Sequence, residues 1–514
     1  MDKKIVIAIT GATGNMLSPC LKMLLEFSSD ITVRILTRNP KRRDINALRK
    51  QYGDRFEIIK GDITDFNVLE NFVKGVSYLV NAAAIIPPLA EHKIQLAAKV
   101  NKEGTENVVN ALLRYNPDCK LIHISTVAIY GNRNYLHPFG RVGDPLLPSF
   151  FDMYGASKLK AERYVVESSL KHWAVIRQTG MLYSKLLMNN ISDGLMFHTP
   201  FNVPIEWSSD IDSSRLILNI IKQDLNGECD DFWLNIYNLG GGEKMRVTGF
   251  ETFDVGFRLI GGNAEKFLKP NYMATRNFHC FWFYDSDILE EKFHFRTETF
   301  DSFWTRALNE NPLVSLGKFC PRGLIKVFVF KPLLKNKNAP LNWYFHKDDP
   351  KVIASWGGYE EFKKIPREWK EFPLLSHNQN PDNGEYLDYE ALKDPRNATL
   401  LSHGWSEYLS HLDESEIKTA CDERGLILKS QFDGDLHSLL TFECKSCGNE
   451  FKTTAFGLLF GGYGCPSCSE GNPWNFGKIA DYPFYRQLYY DSMTEKEKNY
   501  IFYFDGEKEC MKKQ

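Results

Sequence analysis

The feature that most constrains this chain is a glycine-containing turn that follows its first apolar segment. The β-branched run at residues 5–10 passes directly into Gly11-Ala12-Thr13-Gly14-Asn15-Met16, and a helix-like sequence begins after it. A strand, a glycine turn and a helix in this order bring backbone N–H groups and a helix dipole close to a pyrophosphate. The sequence therefore predicts a dinucleotide-binding βα unit. Its candidate cofactor contacts are Gly11, Thr13, Gly14, Asn15 and Met16.

The end of the second apolar run, residues 31–36, indicates which dinucleotide is bound. This run is followed by Thr37-Arg38-Asn39, and three further basic side chains lie at residues 41–43. At this position an acidic residue would accept a hydrogen bond from a free ribose 2′-hydroxyl, whereas arginine accommodates a 2′-phosphate. We therefore expect NADP rather than NAD, with Arg38 at the phosphate. The alternative is that these charges are solvated surface groups.

Tyr154 and Lys158 are the candidate proton-transfer residues. They lie four residues apart in Tyr154-Gly155-Ala156-Ser157-Lys158, so they share one face of a helix and can act on one substrate oxygen. The phenol would donate its proton to a carbonyl oxygen, or remove an alcohol proton in the reverse direction. The lysine ammonium would lower the pKa of the phenol. The alternative for Tyr154 is a half-buried core tyrosine.

Further segments, in the same order along residues 3–310, resemble the extended short-chain dehydrogenase/reductase family. That family includes sugar-nucleotide epimerases and dehydratases, flavonol-type reductases and 3β-hydroxysteroid dehydrogenases. The segments that carry the resemblance are the glycine turn, Gly61-Asp62-Ile63, residues 79–84, the N-x-x-G-T pattern at 101–105, residues 121–131, Y-x-x-S-K-x-x-x-E at 154–162, residues 177–180 and residues 237–242.

The resemblance implies a fold and additional site residues. The fold would be α/β, a Rossmann-type doubly wound parallel sheet with a smaller substrate-side region. Thr126 would hydrogen-bond the reacting oxygen together with Tyr154, and Lys158 would also hold the nicotinamide ribose. The implied further cofactor contacts are Asp62, Ile63, Ala82, Ala83 and Asn101.

The residues after Thr126 separate the reaction classes within that family. Sugar-nucleotide dehydratases of the family carry an acidic pair there, whereas this chain has Val127-Ala128. Dehydration is therefore disfavoured, and an NADP(H)-dependent oxidoreductase that interconverts a secondary alcohol and a ketone is the leading hypothesis. Two alternatives stay open: a nucleotide-sugar epimerase with tightly held NAD, and a non-catalytic NADP(H) redox sensor with a zinc interaction module.

Two apolar stretches after the Tyr154 helix indicate what kind of small-molecule substrate the chain could bind. One contains leucine, methionine, phenylalanine and tryptophan between residues 182 and 207, and the other is the aromatic run at 278–284. If they line the substrate site, a hydrophobic ketone such as a steroid or terpenoid would fit better than a nucleotide sugar. The alternative is that these residues build a core.

The cysteine spacing near the carboxyl end predicts a structural zinc site. Two C-x-x-C pairs, Cys444 with Cys447 and Cys465 with Cys468, are separated by seventeen residues, which is typical of four-thiolate zinc sites in treble-clef or ribbon modules. Residues 401–514 hold 12 basic and 18 acidic side chains, and this excess of negative charge argues against binding nucleic acid.

Net charge and hydrophobic patterning indicate the expected partners, location and domain organisation of the chain. Net charge is −2, from 63 basic and 65 acidic side chains, so no attraction to nucleic acid or anionic membranes is expected. We find no signal peptide and no apolar stretch long enough to cross a bilayer, which predicts a cytoplasmic protein. The predicted units are a cofactor-binding domain (1–310), an ordered connecting region (311–400) and a zinc-binding domain (401–514). The aromatic tail of the last unit could pack on the reductase body or form a homo-oligomer contact.

Overall fold

A computed structural model of the chain describes residues 4–186, 193–276, 281–319, 321–407, 412–506 and 508–514. The first 310 residues are built on parallel β-structure. Their strands are β1 (Ile5–Thr10), β2 (Ile31–Thr37), β3 (Phe56–Lys60), β4 (Tyr78–Asn81), β5 (Lys120–Thr126), β6 (Phe139–Gly140), β7 (Trp173–Gln178), β8 (Met181–Leu182), β9 (Pro204–Glu206), β10 (Ser208–Ser209), β11 (Asn235–Leu239), β12 (Arg246–Thr248) and β13 (Trp282–Phe283).

Seven of these strands form one sheet in the order β3-β2-β1-β4-β5-β7-β11. Every neighbouring pair in it is parallel. After β3 the chain returns to the far side of β1 and continues outward from β4, so the sheet has its topological switch point between β1 and β4. Ligands of such sheets bind in the crevice at the carboxyl ends of the strands beside this point. The predicted doubly wound parallel sheet is thereby confirmed.

Helices cover both faces of the sheet because its strands are apolar on both sides. Adjacent residues of β1, Ile7 and Ala8, belong to two different buried clusters, one on each face. The helices up to residue 310 are α1 (Ser18–Phe27), α2 (Arg43–Tyr52), α3 (Phe66–Val73), α4 (Leu89–His92), α5 (Ile94–Ala98), α6 (Gly104–Tyr115), α7 (Met153–Val166), α8 (Asp210–Leu225), α9 (Gly249–Leu259), α10 (Ala264–Phe267), α11 (Asp287–Phe293) and α12 (Phe300–Glu310).

The region that follows residue 310 is a series of short helices packed against the first 310 residues. Phe330, Leu333 and Leu374 join a buried cluster with Phe197 and Phe250 of the first 310 residues. The helices are α13 (Arg322–Ile325), α14 (Lys331–Leu334), α15 (Pro340–His346), α16 (Asp349–Trp356), α17 (Tyr359–Lys364) and α18 (Tyr389–Lys393).

The last hundred residues contain a small antiparallel sheet, β14-β15-β16, and a terminal hairpin, β17-β18. Their apolar cluster also includes Leu147, Phe150 and Phe151, which directly precede α7. The elements are α19 (Glu414–Arg424), β14 (Leu426–Leu428), β15 (Leu439–Cys444), β16 (Glu450–Thr454), α20 (Ala455–Leu459), α21 (Pro466–Ser469), α22 (Pro483–Ser492), β17 (Tyr500–Asp505) and β18 (Lys508–Lys513). Among the helices in the described ranges, none is both long enough and apolar enough to cross a membrane.

Candidate active site

A pocket of about 410 Å³ opens at the switch point of the sheet. Its wall is formed by the loops that follow β1, β2, β3 and β4, and the residues that line it are 10–14, 36–39, 42, 61–63, 82–85 and 100. The predicted contacts Gly11, Thr13, Gly14, Arg38 and Asp62 are brought together here, as are Ile63, Ala82 and Ala83. Asn15 and Met16 lie next to the pocket, at the start of the helical turn that leads into α1.

Gly11 is required by the local backbone at this pocket. Its φ is +68°, and a Cβ at this position would lie 2.6 Å from the Ala82 carbonyl oxygen. Both observations exclude a larger side chain without displacement of the loop after β4. Leu17, which occupies the position of the third glycine in such turns, is buried in the core beneath the sheet.

A network of buried polar side chains holds the loop after β4 in place. The Thr10 hydroxyl donates to the Asn81 side-chain oxygen at 2.8 Å and accepts from the backbone N–H groups of Ala82 and Ala83. The Asn101 side chain accepts from the Ile85 N–H at 2.8 Å and donates to the Ile85 carbonyl at 3.1 Å. Asn101 is fully buried, so its contacts position the pocket wall and do not face the pocket.

The part of the pocket at the carboxyl end of β2 carries one arginine that is mostly exposed. The Arg38 side chain is 68% exposed, and its Nε lies 3.8 Å from Asp62 Oδ2. The neighbouring Arg42 is held by Asp44, with hydrogen bonds of 3.0 and 2.7 Å to the two carboxylate oxygens. The Asp62 carboxylate also accepts from the backbone and hydroxyl of Thr64. Of the two arginines that line the pocket, Arg38 therefore retains the greater donor capacity.

Thr126 and Tyr154 meet where β5 ends and α7 begins. The Thr126 hydroxyl accepts from the Ala128 N–H at 3.2 Å and lies near enough to the Tyr154 phenol to lower its pKa. Asp152 caps α7 by accepting from the Gly155 N–H at 2.8 Å. Burial raises the pKa of the Tyr154 phenol to about 12, opposed by the Thr126 hydrogen bond and reinforced by the Asp152 charge.

Lys158 is buried one turn further along α7. Its ammonium donates to the Ile124 carbonyl oxygen on β5 at 2.6 Å, and burial lowers its pKa to about 8. The shift of the Tyr154 pKa comes from burial, Thr126 and Asp152, and the Lys158 ammonium is directed at β5; a lowering of the Tyr154 pKa by Lys158 stays a prediction. The three predicted residues nevertheless lie together at the carboxyl end of β5.

One turn beyond Lys158, α7 contacts the last hundred residues through a buried ion pair. Glu162 and Arg177 are completely buried and joined at 2.6 Å. The Glu162 carboxylate also accepts from Ser125 at 2.6 Å and from Tyr463 at 3.0 Å. Arg177 donates to the Gly461 carbonyl at 2.7 Å. The network therefore runs from β5 and α7 into the loop before the second cysteine pair.

The four predicted metal ligands form one cluster. The Sγ atoms of Cys444, Cys447, Cys465 and Cys468 all lie within 4.8 Å of one another. Cys444 and Cys468 are separated by 3.8 Å, and Cys447 and Cys465 by 3.7 Å. Tetrahedral thiolates at about 2.3 Å from a zinc ion would be about 3.8 Å apart. The donor set and its dimensions therefore fit zinc.

A second cavity, of about 220 Å³, lies beside the start of α7. Asp152 and Glu91 line it, and so do residues outside the first 310, including Lys351 and Glu509. None of these four was a candidate from the sequence. Only Asp152 had a local signal in the sequence, an aspartate at the start of a predicted helix. Glu91, Lys351 and Glu509 come to the cavity only through the folding of distant parts of the chain.

The two apolar stretches expected to line the substrate site are mainly core. Phe197 and Phe201 belong to one buried cluster and Leu182 to another, while Leu195 and Trp207 reach the cavity. Residues 187–192 and 277–280 lie outside the described residues, so the expectation is not tested for Leu187, Met188, Phe278, His279 and Cys280.

Comparison with known proteins adds a family match for part of the chain. Residues 7–186 match the NAD dependent epimerase/dehydratase family. Over 120 residues, 22% of this chain and 31% of the relative, the chain is 31% identical to a 3β-hydroxysteroid dehydrogenase/Δ5→4-isomerase of Mycobacterium tuberculosis. Over 177 residues, 32% of this chain and 45% of the relative, it is 23% identical to 3β-hydroxysteroid dehydrogenase type 7 of Mus musculus.

These matches span less than half the length of either relative. Among solved structures, dTDP-glucose 4,6-dehydratase from Streptomyces venezuelae with NAD bound is similar at 18% identity and a TM-score of 0.48, over 60% of this chain and 98% of that one. The segment that carries the glycine turn, Thr126, Tyr154 and Lys158 thus matches the NAD dependent epimerase/dehydratase family.

Proposed function

We propose that this chain is an NADP(H)-dependent oxidoreductase that interconverts a secondary alcohol and a ketone. The observation that carries the proposal is the placement of Thr126, Tyr154 and Lys158 together at the carboxyl end of β5, the strand beside β4, whose following loop lines the pocket of about 410 Å³. The family match over residues 7–186 and the partial similarity to 3β-hydroxysteroid dehydrogenases support the same reaction class.

The side chains have distinct roles in this proposal. A bound nicotinamide would supply or accept the hydride. Tyr154, whose phenol pKa is raised to about 12 by burial, holds its proton at neutral pH and donates it to the ketone oxygen. The Thr126 hydroxyl orients that oxygen. Lys158, with a pKa near 8, is mostly cationic at neutral pH and favours negative charge developing at the phenol.

The ribose end of the pocket supports NADP as the cofactor. The exposed Arg38 guanidinium stands at the carboxyl end of β2, where a 2′-phosphate would accept charge-assisted hydrogen bonds. Replacing Arg38 with glutamine is expected to weaken NADPH binding about tenfold, since one such contact is removed. NADH binding should change less than twofold. Equal loss for both cofactors would refute this assignment.

We also propose that the four-cysteine cluster binds a structural zinc ion that supports α7. The loop between the cysteine pairs supplies Gly461 and Tyr463 to the Arg177 and Glu162 pair, and Gly464 and Glu470 contact Arg163 on the same helix. An ion closing the cluster would therefore fix the surface on which α7 rests. Because four thiolates complete a tetrahedron, the site leaves no position for a substrate.

Cofactor titration followed by a substrate panel tests the proposed reaction. The full chain is titrated with NADPH and NADH, and consumption of the tighter cofactor is followed at 340 nm with steroid ketones, flavonoids and nucleotide sugars. We expect tighter NADPH binding and turnover with at least one carbonyl compound that carries no nucleotide. Turnover confined to nucleotide sugars, with NAD retained on the protein, would establish the epimerase alternative instead.

A further inference from the structure

Residues 312–347 present a group of large apolar side chains to the outside of the molecule. Phe319 is 83% exposed and Leu313 is 77% exposed. The exposed apolar side chains of this segment are Leu313, Leu316, Phe319, Leu324, Val327, Phe328 and Phe345. Single exposed apolar residues are ordinary, whereas a group of them on one surface indicates contact with another molecule or a membrane.

The first three of these side chains form a row. They lie on a 3₁₀ helix at Pro312–Phe319, in which residues three apart stand one above the other. Leu313, Leu316 and Phe319 have this spacing. Gly317 lies on a different side of the same helix, and a Cβ there would be 2.8 Å from the Ile260 side chain, just beyond α9. The helix therefore packs through Gly317 and turns its apolar row outward.

The helical stretch that follows, from α13 to α14, is apolar on two sides. Phe330 and Leu333 are buried in the cluster that contains Phe197 and Phe250. Leu324, Val327 and Phe328 are exposed, and their spacing of three and four residues places them on one side of the helix. The first side is explained by packing against the protein, and the second side is left for an external surface.

The same segment is strongly basic. Residues 311–347 hold seven basic side chains and no acidic one. The exposed lysines are Lys318, Lys326, Lys331, Lys335, Lys337 and Lys347. Among the residues that the structure describes, none forms an ion pair with these six lysines. The net charge of −2 is that of the whole chain, so it does not reveal this local excess of positive charge.

The combination of apolar and basic side chains indicates which surface covers the segment. A second copy placed face to face would bring the same lysines together, and their charges would repel. A nucleic acid would compensate the lysines but would not bury the leucine and phenylalanine side chains. An anionic bilayer serves both, because its headgroups attract lysines and its acyl boundary takes up apolar side chains.

We propose that the surface formed by residues 312–347 attaches the chain to an anionic lipid bilayer. Leu313, Phe319 and Phe328 enter the boundary between headgroups and acyl chains, and the exposed lysines lie at the headgroups. Asn338 and Trp343 of the same segment line the cavity beside α7, so the segment that contacts lipid also forms a wall of that cavity. The attachment does not depend on the proposed reaction.

Flotation of the full chain with lipid vesicles tests the proposal. One preparation is phosphatidylcholine alone, and the other contains phosphatidylcholine and phosphatidylserine at about three to one. At about 0.1 M salt we expect at least about tenfold stronger partition onto the vesicles with phosphatidylserine, and a weaker preference at about 1 M salt, where charges are screened within about 3 Å. Equal partition onto both vesicles, or partition onto neither, would overturn the proposal.

Two double variants locate the contact. Phe319→Ser with Phe328→Ser removes apolar surface, and Lys331→Gln with Lys335→Gln removes charge. Each pair is expected to weaken partition onto the anionic vesicles at least about tenfold. Unchanged partition in both pairs would place the contact elsewhere and overturn the proposal.

Matched controls carry the same changes outside the segment. Tyr386→Ser removes an aromatic ring that is 77% exposed, and Lys22→Gln with Lys50→Gln removes two exposed lysines of α1 and α2. Both controls should change partition less than twofold. Thermal melting curves and cofactor binding establish that every variant is folded.

Sedimentation of the wild type without vesicles tests the other occupant. Self-association that disappears in Phe319→Ser with Phe328→Ser would show that a second copy covers this surface, and would overturn the proposal. Absence of carbonyl reduction, together with selective binding of anionic vesicles, would refute the proposed reaction and keep the membrane contact.

Discussion

Arg163 on α7 connects the sheet domain to the four-cysteine region, and its removal should destabilise the whole protein. Its side chain is buried, as is that of its partner Glu470. It also donates to the Gly464 carbonyl at 3.1 Å and to Glu167 at 2.9 Å. Replacing Arg163 with methionine keeps much of the apolar stem but leaves the Glu470 carboxylate buried without a cation.

Removing one member of a buried ion pair typically costs about 3–5 kcal/mol of stability, because the remaining charge loses its partner. We therefore expect Arg163→Met to lower the free energy of unfolding by about this amount. Replacing both members, Arg163→Met with Glu470→Met, should recover much of the loss, because the carboxylate that then lacks its cation is that of Glu167, whose side chain is 20% exposed. The control is Arg396→Met, which removes an exposed pair with Asp394 and should leave the free energy of unfolding unchanged.

Urea unfolding of the four proteins, followed by tryptophan fluorescence, measures these differences. Hydrogen exchange gives the location: amides of α7 and of residues 461–470 should exchange faster in Arg163→Met than in the control. If the single variant were as stable as the wild type, or if the double variant were less stable than the single one, the account of this contact would be refuted.

Three further predictions follow from individual contacts. Gly11→Ala should abolish dinucleotide binding, because φ is +68° and the new Cβ would lie 2.6 Å from a backbone oxygen; Gly53→Ala, with φ +55° and open space around it, should retain binding. Burial raises the pKa of Asp152 from 3.8 to about 7 in the folded chain. Asp152 therefore loses its proton at a lower pH in the unfolded chain, and the free energy of unfolding falls as pH rises from about 4 to 7. Asp152→Asn should reduce this decrease, and an unchanged pH profile would contradict the reasoning. Removing metal with a chelator, or replacing Cys447 with serine, should accelerate hydrogen exchange in α7, and metal analysis should find one zinc ion per untreated chain.

Local patterns were sufficient to predict the cofactor half of the molecule. The turn at Gly11 needs a positive φ and close approach to another loop, and the residues next to Gly11 in the sequence indicate both requirements. Tyr154 and Lys158 share a helical face by spacing alone. Their assignment as site residues stays a prediction, because the geometry brings them together without a substrate to show what they contact.

The substrate side could not be predicted in the same way. Glu91 and Glu509 meet in one cavity although more than four hundred residues separate them in the sequence, and no local pattern encodes such a meeting. The docking of the cysteine region on α7 is also long-range, through Arg163 and Glu470. Most of the apolar residues expected to line the substrate site pack into cores instead, since hydrophobicity alone does not distinguish a wall from a core.

The most direct test of the central claim compares the wild type with Tyr154→Phe in the same assay. NADPH consumption with the best ketone of the panel is measured together with NADPH affinity. The control is Tyr164→Phe on the same helix as Tyr154, which removes an exposed hydrogen bond of 2.9 Å to Asn110 of α6. We expect Tyr154→Phe to lose turnover by at least about a hundredfold, as for removal of a general acid, with cofactor affinity unchanged within twofold. Retained turnover in Tyr154→Phe would contradict the account.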